Sequence, residues 1–356
     1  MPVVAAIGLY LILGSLIALL WNPAVGSVVR QVGPGAYLLL PGINPVLPIV
    51  YGWFAIIIAI AVHEGVHGIA ARSLGLRVKS SGLLFFLIIP IGAFVDVDEE
   101  QLKKAKAKVS TRILAGGVGA NIAVAALCLI GFLVIVNGLT PAIQGVYIFD
   151  VNKGQPAQVA GLLPKDVFVS VDNVTINNTT DLRALLDNKT SGDIIQVTVA
   201  RGDIWQYRFS TSVNLTVSGN RTVMGLTVGD LLTEERLKNY QTVTLDRLSM
   251  YLVPPALAPG LVPFSDSLAP FYTHWLGPEW PVLANVLFWL WFINVNVAIF
   301  NALPIYPLDG GRIFDVALRS VLGKKIKEKR IFQITMAVTA AVVVILLLTI
   351  IIPFVT

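Results

Sequence analysis

Five stretches of this chain contain no Asp, Glu, Lys or Arg: residues 1–29, 31–62, 113–149, 280–308 and 331–356. Each exceeds the roughly 20 apolar residues that cross a hydrocarbon core of about 30 Å. Inside a bilayer every backbone N–H and C=O must be satisfied within the segment, so such runs fold as helices. Trimmed of Gly, Pro and polar residues, they predict spans at about 3–21, 47–71, 113–136, 283–303 and 331–353. Only 13% of the 356 residues are charged, against about 25% in a soluble domain, and mean hydropathy is +0.76. The first run has no basic n-region and no small-residue cleavage pattern, so it is expected to remain as a span.

Charge placement orients these spans. A net charge of +5 and a pI near 9.3 would suit a nucleic-acid binder, but the basic residues are distributed otherwise. Arg72, Arg77, Lys79, Lys103, Lys104, Lys106, Lys108 and Arg112 separate the second and third runs. Arg312, Arg319, Lys324, Lys325, Lys327, Lys329 and Arg330 separate the fourth and fifth. Short loops rich in Lys and Arg stay cytoplasmic, so no nucleic-acid partner is expected and both loops are assigned inside. The loop carrying Arg30 and the long segment 137–282 then lie outside. The single cysteine, Cys128, sits in the third run and forms no intramolecular disulfide; a small apolar packing role is expected.

Within the outer segment the texture changes. From 143 to 230 short alternating stretches such as "DVFVSVD", "DIIQVTVARG" and "WQYRFSTSV" read as strands of a small domain. "TTDLRALLDN" (179–188) reads as one amphipathic helix. Asn173, Asn177, Asn178, Asn188, Asn214 and Asn220 each begin an N-x-[ST] sequon, in agreement with an outer location. "GQPAQVAGLLPKDVFVSVDNVTI" (154–176) resembles the most recognisable part of a PDZ domain. PDZ domains take an extended peptide onto a sheet edge. The resemblance places that edge near Gly145–Ile148, facing the 179–188 helix, with Gly145 and Val146 as candidate peptide contacts. Residues 231–282, rich in Pro and aromatics, read as a linker at the outer interface. The expected organisation is thus an N-terminal membrane region 1–136, a PDZ-like domain 143–230, a linker 231–282 and a C-terminal membrane region 283–356.

The second run ends in "AVHEGVHGIA" (61–70), which puts three titratable side chains into apolar sequence. His63 and His67 lie four apart, so on a helix they project from one face. Both imidazoles can then ligate one metal ion while Glu64 stands beside it as general base, the HExxH arrangement. Ionisable groups inside a span are costly and mark function. Catalytic zinc sites usually take three protein ligands and leave one position open. His274 belongs to the outer segment, so a carboxylate is expected as third ligand: Asp96, Asp98 or Asp309. Asp309 follows "FNALPIYPL", where Pro304 and Pro307 break the helix and Gly310 and Gly311 let the backbone turn. Broken backbone at membrane depth is tolerated only where protein or a cavity covers it, so Asp309 is displayed toward the site.

HExxH in one span, followed by N-x-x-P-x-x-P-L-D-G (here Asn301, Pro304, Pro307, Leu308, Asp309 and Gly310), resembles the site-2 protease family of intramembrane metalloproteases. "GGVGANIAVA" (116–125) is similar to that family's small-residue and Asn element, and a PDZ insertion between the two motifs is also a pattern of the family. The resemblance implies a polytopic α-helical membrane protein of about five to six spans with a site-2 protease core and an inserted β-rich PDZ-like domain. The apolar 80–95 stretch would be a membrane-embedded hairpin. One zinc per chain would be held by His63, His67 and Asp309, with Glu64 as catalytic base and Asn121 and Asn301 as candidates for holding the substrate backbone. The substrates would be transmembrane proteins, with a peptide ligand possible at the PDZ-like domain. Two other readings of the same residues stand beside it: a scaffold with a structural metal, and a transporter whose ion path these groups line.

Overall fold

The protein is described from a computed structural model covering all residues except 87, 88, 203, 204, 220, 232, 245–249, 259, 324 and 356; the Asn220 sequon and Lys324 lie outside the described residues. Two compact units divide it: Met1–Phe132 with Leu283–Thr356, and Leu133–Val282.

The first unit begins with α1 (Pro2–Trp21), α2 (Pro23–Val32) and α3 (Ile49–Ser73). The hairpin β1 (Val78–Phe86) and β2 (Ile89–Val97), the short α4 (Glu99–Lys104) and α5 (Ala107–Asn137) follow. After the second unit come α9 (Trp280–Ala302), α10 (Asp309–Leu322) and α11 (Glu328–Val355). Helices α1, α3, α5, α9 and α11 are long and apolar enough to cross a membrane, one for each predicted span. Each contains an 18-residue window of high mean hydropathy, as a bilayer-spanning helix requires. On α1, Leu11, Ile17 and Leu20 are exposed while Gly8 is buried against Ile299 and Leu303. Strands β1 and β2 pair antiparallel from Val78–Val97 to Phe86–Ile89, with Leu83, Leu84 and Phe85 exposed.

Two local devices tie this unit together. The Schellman motif at the end of α3 uses Gly75 in the left-handed region (φ +80) and returns Leu76 N–H to the Ala71 carbonyl at 2.8 Å. At the far end of α11, Pro353 has no N–H to give the Thr349 carbonyl. The Tyr37 hydroxyl donates to that carbonyl instead, at 3.3 Å, and Arg30 Nη1 donates to the Pro353 carbonyl at 2.7 Å.

The second unit contains β3 (Leu139–Pro141), β4 (Val146–Val151), α6 (Pro156–Val159), β5 (Val167–Val171), β6 (Val174–Thr175) and α7 (Thr179–Asp187). It continues through β7 (Ile194–Arg201), β8 (Tyr207–Asn214), β9 (Thr216–Ser218), β10 (Arg221–Val223), β11 (Leu226–Asp230), α8 (Thr233–Gln241) and β12 (Tyr272–His274). The main sheet is ordered β11-β4-β5-β7-β8, with β6 on β5. Along β7, Ile195, Val197 and Val199 point into the core. The intervening Gln196 and Thr198 bond across to Ser212 and Ser210 of β8. This period-two division is what makes residues 143–230 legible as β-structure. A fork of two bonds from Arg201 to the buried Asp166, at 2.7 and 2.6 Å, locks the β5 entry to the end of β7.

Two expectations need correction here. Gly145–Ile148 is not a free edge: Val146 pairs with Phe168 of β5 on one side and with Asp230 of β11 on the other. The chain returns through "MGLTVGD" to cover β4, and β11 becomes the edge strand. Residues 231–282 are also more than a linker. They carry α8 and β12, which pairs with β3, and bury Tyr240, Tyr251, Phe264 and Phe271. Phe271 stacks on Trp205 at 4.7 Å and meets Tyr147 edge-on at 5.3 Å. The aromatics that suggested a membrane interface are largely spent on this packing.

Candidate metal centre and active site

On α3, His63 and His67 occupy one face, both buried, with ring centroids 4.8 Å apart. Asp309 is the first residue of α10 and is equally buried. Its Oδ2 lies 3.0 Å from His63 Nε2 and 3.1 Å from His67 Nε2. Asp309 reaches this point because α10 starts hard against the end of α9. A Cβ on Gly310 would collide with the Ala302 and Leu303 carbonyls, and one on Gly311 with the Ile305–Tyr306 backbone. The turn between them is pinned from α11, where Thr339 Oγ1 accepts from Tyr306 N–H at 3.0 Å.

The protonation pattern follows from the partners. His67 Nδ1 stands 2.8 Å from the Ile113 carbonyl, which can only accept, so Nδ1 carries the proton. A neutral His67 therefore directs the lone pair of Nε2 at a carboxylate oxygen. With no proton on Nε2, that 3.1 Å approach requires a cation between the two lone pairs; with one, it is a hydrogen bond. Ligand atoms each about 2.0 Å from a tetrahedral zinc stand ~3.3 Å from one another. Among the described residues, His63, His67 and Asp309 form the group whose ligand atoms converge, all within 4.8 Å of one another. The Ile113 carbonyl orients the His67 imidazole from behind, as the outer partners of metal-binding histidines do.

Neither Asp96, Asp98 nor His274 belongs to that group. Asp98 caps α4 by accepting from Glu100 and Gln101 N–H at 3.1 Å each, and these bonds hold its carboxyl below the usual range. Asp96 lines the cavity without joining the ligand atoms. His274 lies in β12 and its Nδ1 accepts from Leu276 N–H.

The ligand atoms open into a cavity of about 280 Å³ lined by Glu64, Val95, Asp96, Asn301 and Arg312 among others. Glu64 Oε2 accepts from Val95 N–H of β2 at 3.1 Å, so the hairpin orients the carboxylate beside the histidines. Asn301 donates to the Val297 carbonyl of its own helix at 3.1 Å and still faces the cavity. Asn121 is wholly buried, and neither its Oδ1 nor its Nδ2 has a partner among the described residues.

One residue the sequence reading passed over is Gly117. A Cβ there would stand 2.6 Å from His67 Nε2 and 2.7 Å from His63 Nε2. The space in front of the ligand atoms exists because α5 has no side chain at that point. The available signal was the run of glycines in "GGVGAN", which did not say which one mattered.

The chain is similar to several known proteins. Peptidase family M50 matches residues 51–346. An uncharacterised protein of Methanocaldococcus jannaschii is 25% identical over 88% of this chain and 68% of its own length. A Clostridium perfringens protein named "Putative zinc metalloprotease" is 25% identical over 80% of this chain and 91% of its own. The Arabidopsis thaliana "Membrane-bound transcription factor site-2 protease homolog" is 27% identical over 48% of this chain and 33% of its own. Among solved structures, the PDZ domain of an SdrC-like protein from Listeria monocytogenes is 19% identical, covers 24% of this chain and 88% of that one, and gives a TM-score of 0.22. With HExxH on α3, the Pro-rich motif bridging α9 and α10, and the family match covering most of the chain, this protein belongs to Peptidase family M50, the site-2 protease family of metalloproteases.

Proposed function

We propose that this protein hydrolyses peptide bonds within or near the transmembrane segments of membrane-protein substrates, as in regulated intramembrane proteolysis. His63, His67 and Asp309 hold one zinc ion, and Glu64 is the general base. The observation that carries this reading is the convergence of His63, His67 and Asp309 ligand atoms within reach of one ion, with His67 Nδ1 turned to the Ile113 carbonyl. An ion held there supplies Lewis acidity toward the scissile carbonyl and a water acidified toward neutral pH. Glu64, fixed by Val95 N–H, takes the proton of the attacking water and returns it to the leaving amide nitrogen. Asn301, facing the cavity, is placed to bond the substrate backbone. Asn121 could reach substrate only after α5 shifts, since it is fully covered.

A helical substrate hides its amides in its own hydrogen bonds, so cleavage favours spans with Gly, Asn or Pro near the cut. The Lys/Arg-rich loops support an active site toward the cytoplasm and a PDZ-like insert on the opposite side. A peptide ligand would bind that insert in the groove of about 930 Å³ between α7 and β11, lined by Leu182, Leu186, Leu226 and Val228.

The test is metal content and cleavage of single-span reporter substrates in detergent, for wild type and Glu64→Gln side by side. Both proteins should hold about one zinc, and only the wild type should cut. Cleavage surviving in Glu64→Gln would overturn the mechanism.

A further inference from the structure

We propose that the insert carries N-linked glycans, at Asn173, Asn177, Asn188 and Asn214. The chain has 16 asparagines, and the six between 173 and 220 are each followed two positions on by Thr, with no Pro between. None of the other ten has Ser or Thr at that position. Only nine of the 88 residues from 143 to 230 are Thr, so about one asparagine in ten would fit by chance. A cluster in which six successive asparagines fit, every one with Thr, is not composition at work.

The fold accommodates sugars at these places. Asn173 sits at the β5–β6 turn with φ +63, Asn177 in the loop before α7, Asn188 at the end of α7 and Asn214 at the end of β8. All four are exposed. Asn188 Nδ2 donates to the Ala184 carbonyl at 3.0 Å, and a substituted amide keeps one N–H for that bond. Asn178 is left out, because its half-buried side chain caps α7 by accepting from Asp181 N–H at 2.8 Å.

The chemistry requires an oligosaccharide carried on a polyprenyl phosphate and a transferase acting on the outer side. The Asn Nδ2 bonds to C1 of the first sugar, the C1–O bond to phosphate breaks, the lipid phosphate leaves with the electron pair, and one amide proton is lost. Asp187 and Thr216 line the groove beside Asn188 and Asn214. Sugars there would leave the groove open to extended chains and closed to bulky folded ones.

This inference rests on the outer placement of the insert proposed above, and the experiment separates the two. The full chain is purified from the membranes of the cells that make it, and its peptides are weighed by mass spectrometry. Sugar masses on peptides containing Asn173, Asn177, Asn188 and Asn214 are expected, each removed by the matching Asn→Gln substitution. In parallel, Lys153→Cys is probed on intact cells with a membrane-impermeant maleimide. Labelled Lys153→Cys with all six asparagines bare overturns the glycan inference and leaves the sidedness standing. Bare asparagines without labelling overturn both.

Discussion

Gly117 of α5 faces His67 of α3 with no atom between its backbone and Nε2; a Cβ at Gly117 would stand 2.6 Å from that nitrogen. The Gly117→Ala methyl group would crowd both imidazole Nε2 atoms proposed to hold the metal. Zinc content should fall from about one per chain to under ~0.1, with reporter cleavage lost in proportion. Gly119 is the control, since its Cβ would meet nothing within 4 Å and Gly119→Ala should keep both metal and activity. Metal analysis of the three proteins decides it, and zinc retained at full occupancy in Gly117→Ala would show the helices yielding instead.

Thr339 acts at longer range on the same centre. Its hydroxyl accepts from Tyr306 N–H, fixing the turn that delivers Asp309. In Thr339→Val that amide loses its acceptor, at a cost of about 1–3 kcal/mol. Zinc affinity should drop roughly 10-fold, as for other groups that support metal ligands from behind. Thr339→Ser restores the acceptor and should restore the affinity, measured by competition with a zinc chelator.

These two residues show where sequence reading ends. The shared face of His63 and His67, with Glu64 beside it, was legible because helix periodicity fixes spacing, whereas Asp309 stood out from Asp96 and Asp98 only through its broken backbone and the family resemblance. The five spans were legible because charge is excluded from hydrocarbon. Gly117 and Thr339 act through which neighbour they face across helix packing, which no local pattern encodes. The peptide edge went to Gly145 and Val146 for a related reason. "GVYIFDV" and "MGLTVGD" both read as strands, and only the pairing register shows the second covering the first. The aromatics of 240–272 looked interfacial because Tyr and Trp suit a packed core as well as a membrane surface.

Acid should loosen the insert through Asp172. The Lys189 ammonium, 2.8 Å away, and the Gln196 amide hold its carboxyl below the ordinary carboxylate value. A folded pKa that is depressed contributes stability above the unfolded value of about 3.9, lost as pH falls through the folded one. Lys189 is raised in turn by Asp172, so its contribution is present below about 10.4 and lost as pH rises through the raised value. Both side chains are about one-third exposed, which keeps the effect small. In Asp172→Asn, the stability of residues 133–282 to proteolysis should change less between pH 5 and 2 than in wild type. An unchanged acid profile would remove the pair from the account.

The groove gives the remaining prediction. Its strand is β11, paired on one side with β4 and unpaired on the other among the described residues. Its walls offer Leu182 and Leu186 from α7, with Arg183 and Arg221 at hand for a carboxylate. An extended peptide with an apolar C-terminal residue should add to β11, bury that residue between α7 and the strand, and place its carboxylate near the arginines. Hydrogen exchange at 226–230 should slow when the peptide is present, while 146–151, already paired on both sides at Val146 and Tyr147, should not change. Arg221→Ala should weaken binding of the free-acid peptide and leave its C-terminal amide unaffected. Protection appearing at 146–151 instead would mean that β11 is displaced by the peptide, making it an intramolecular occupant of the site rather than its wall.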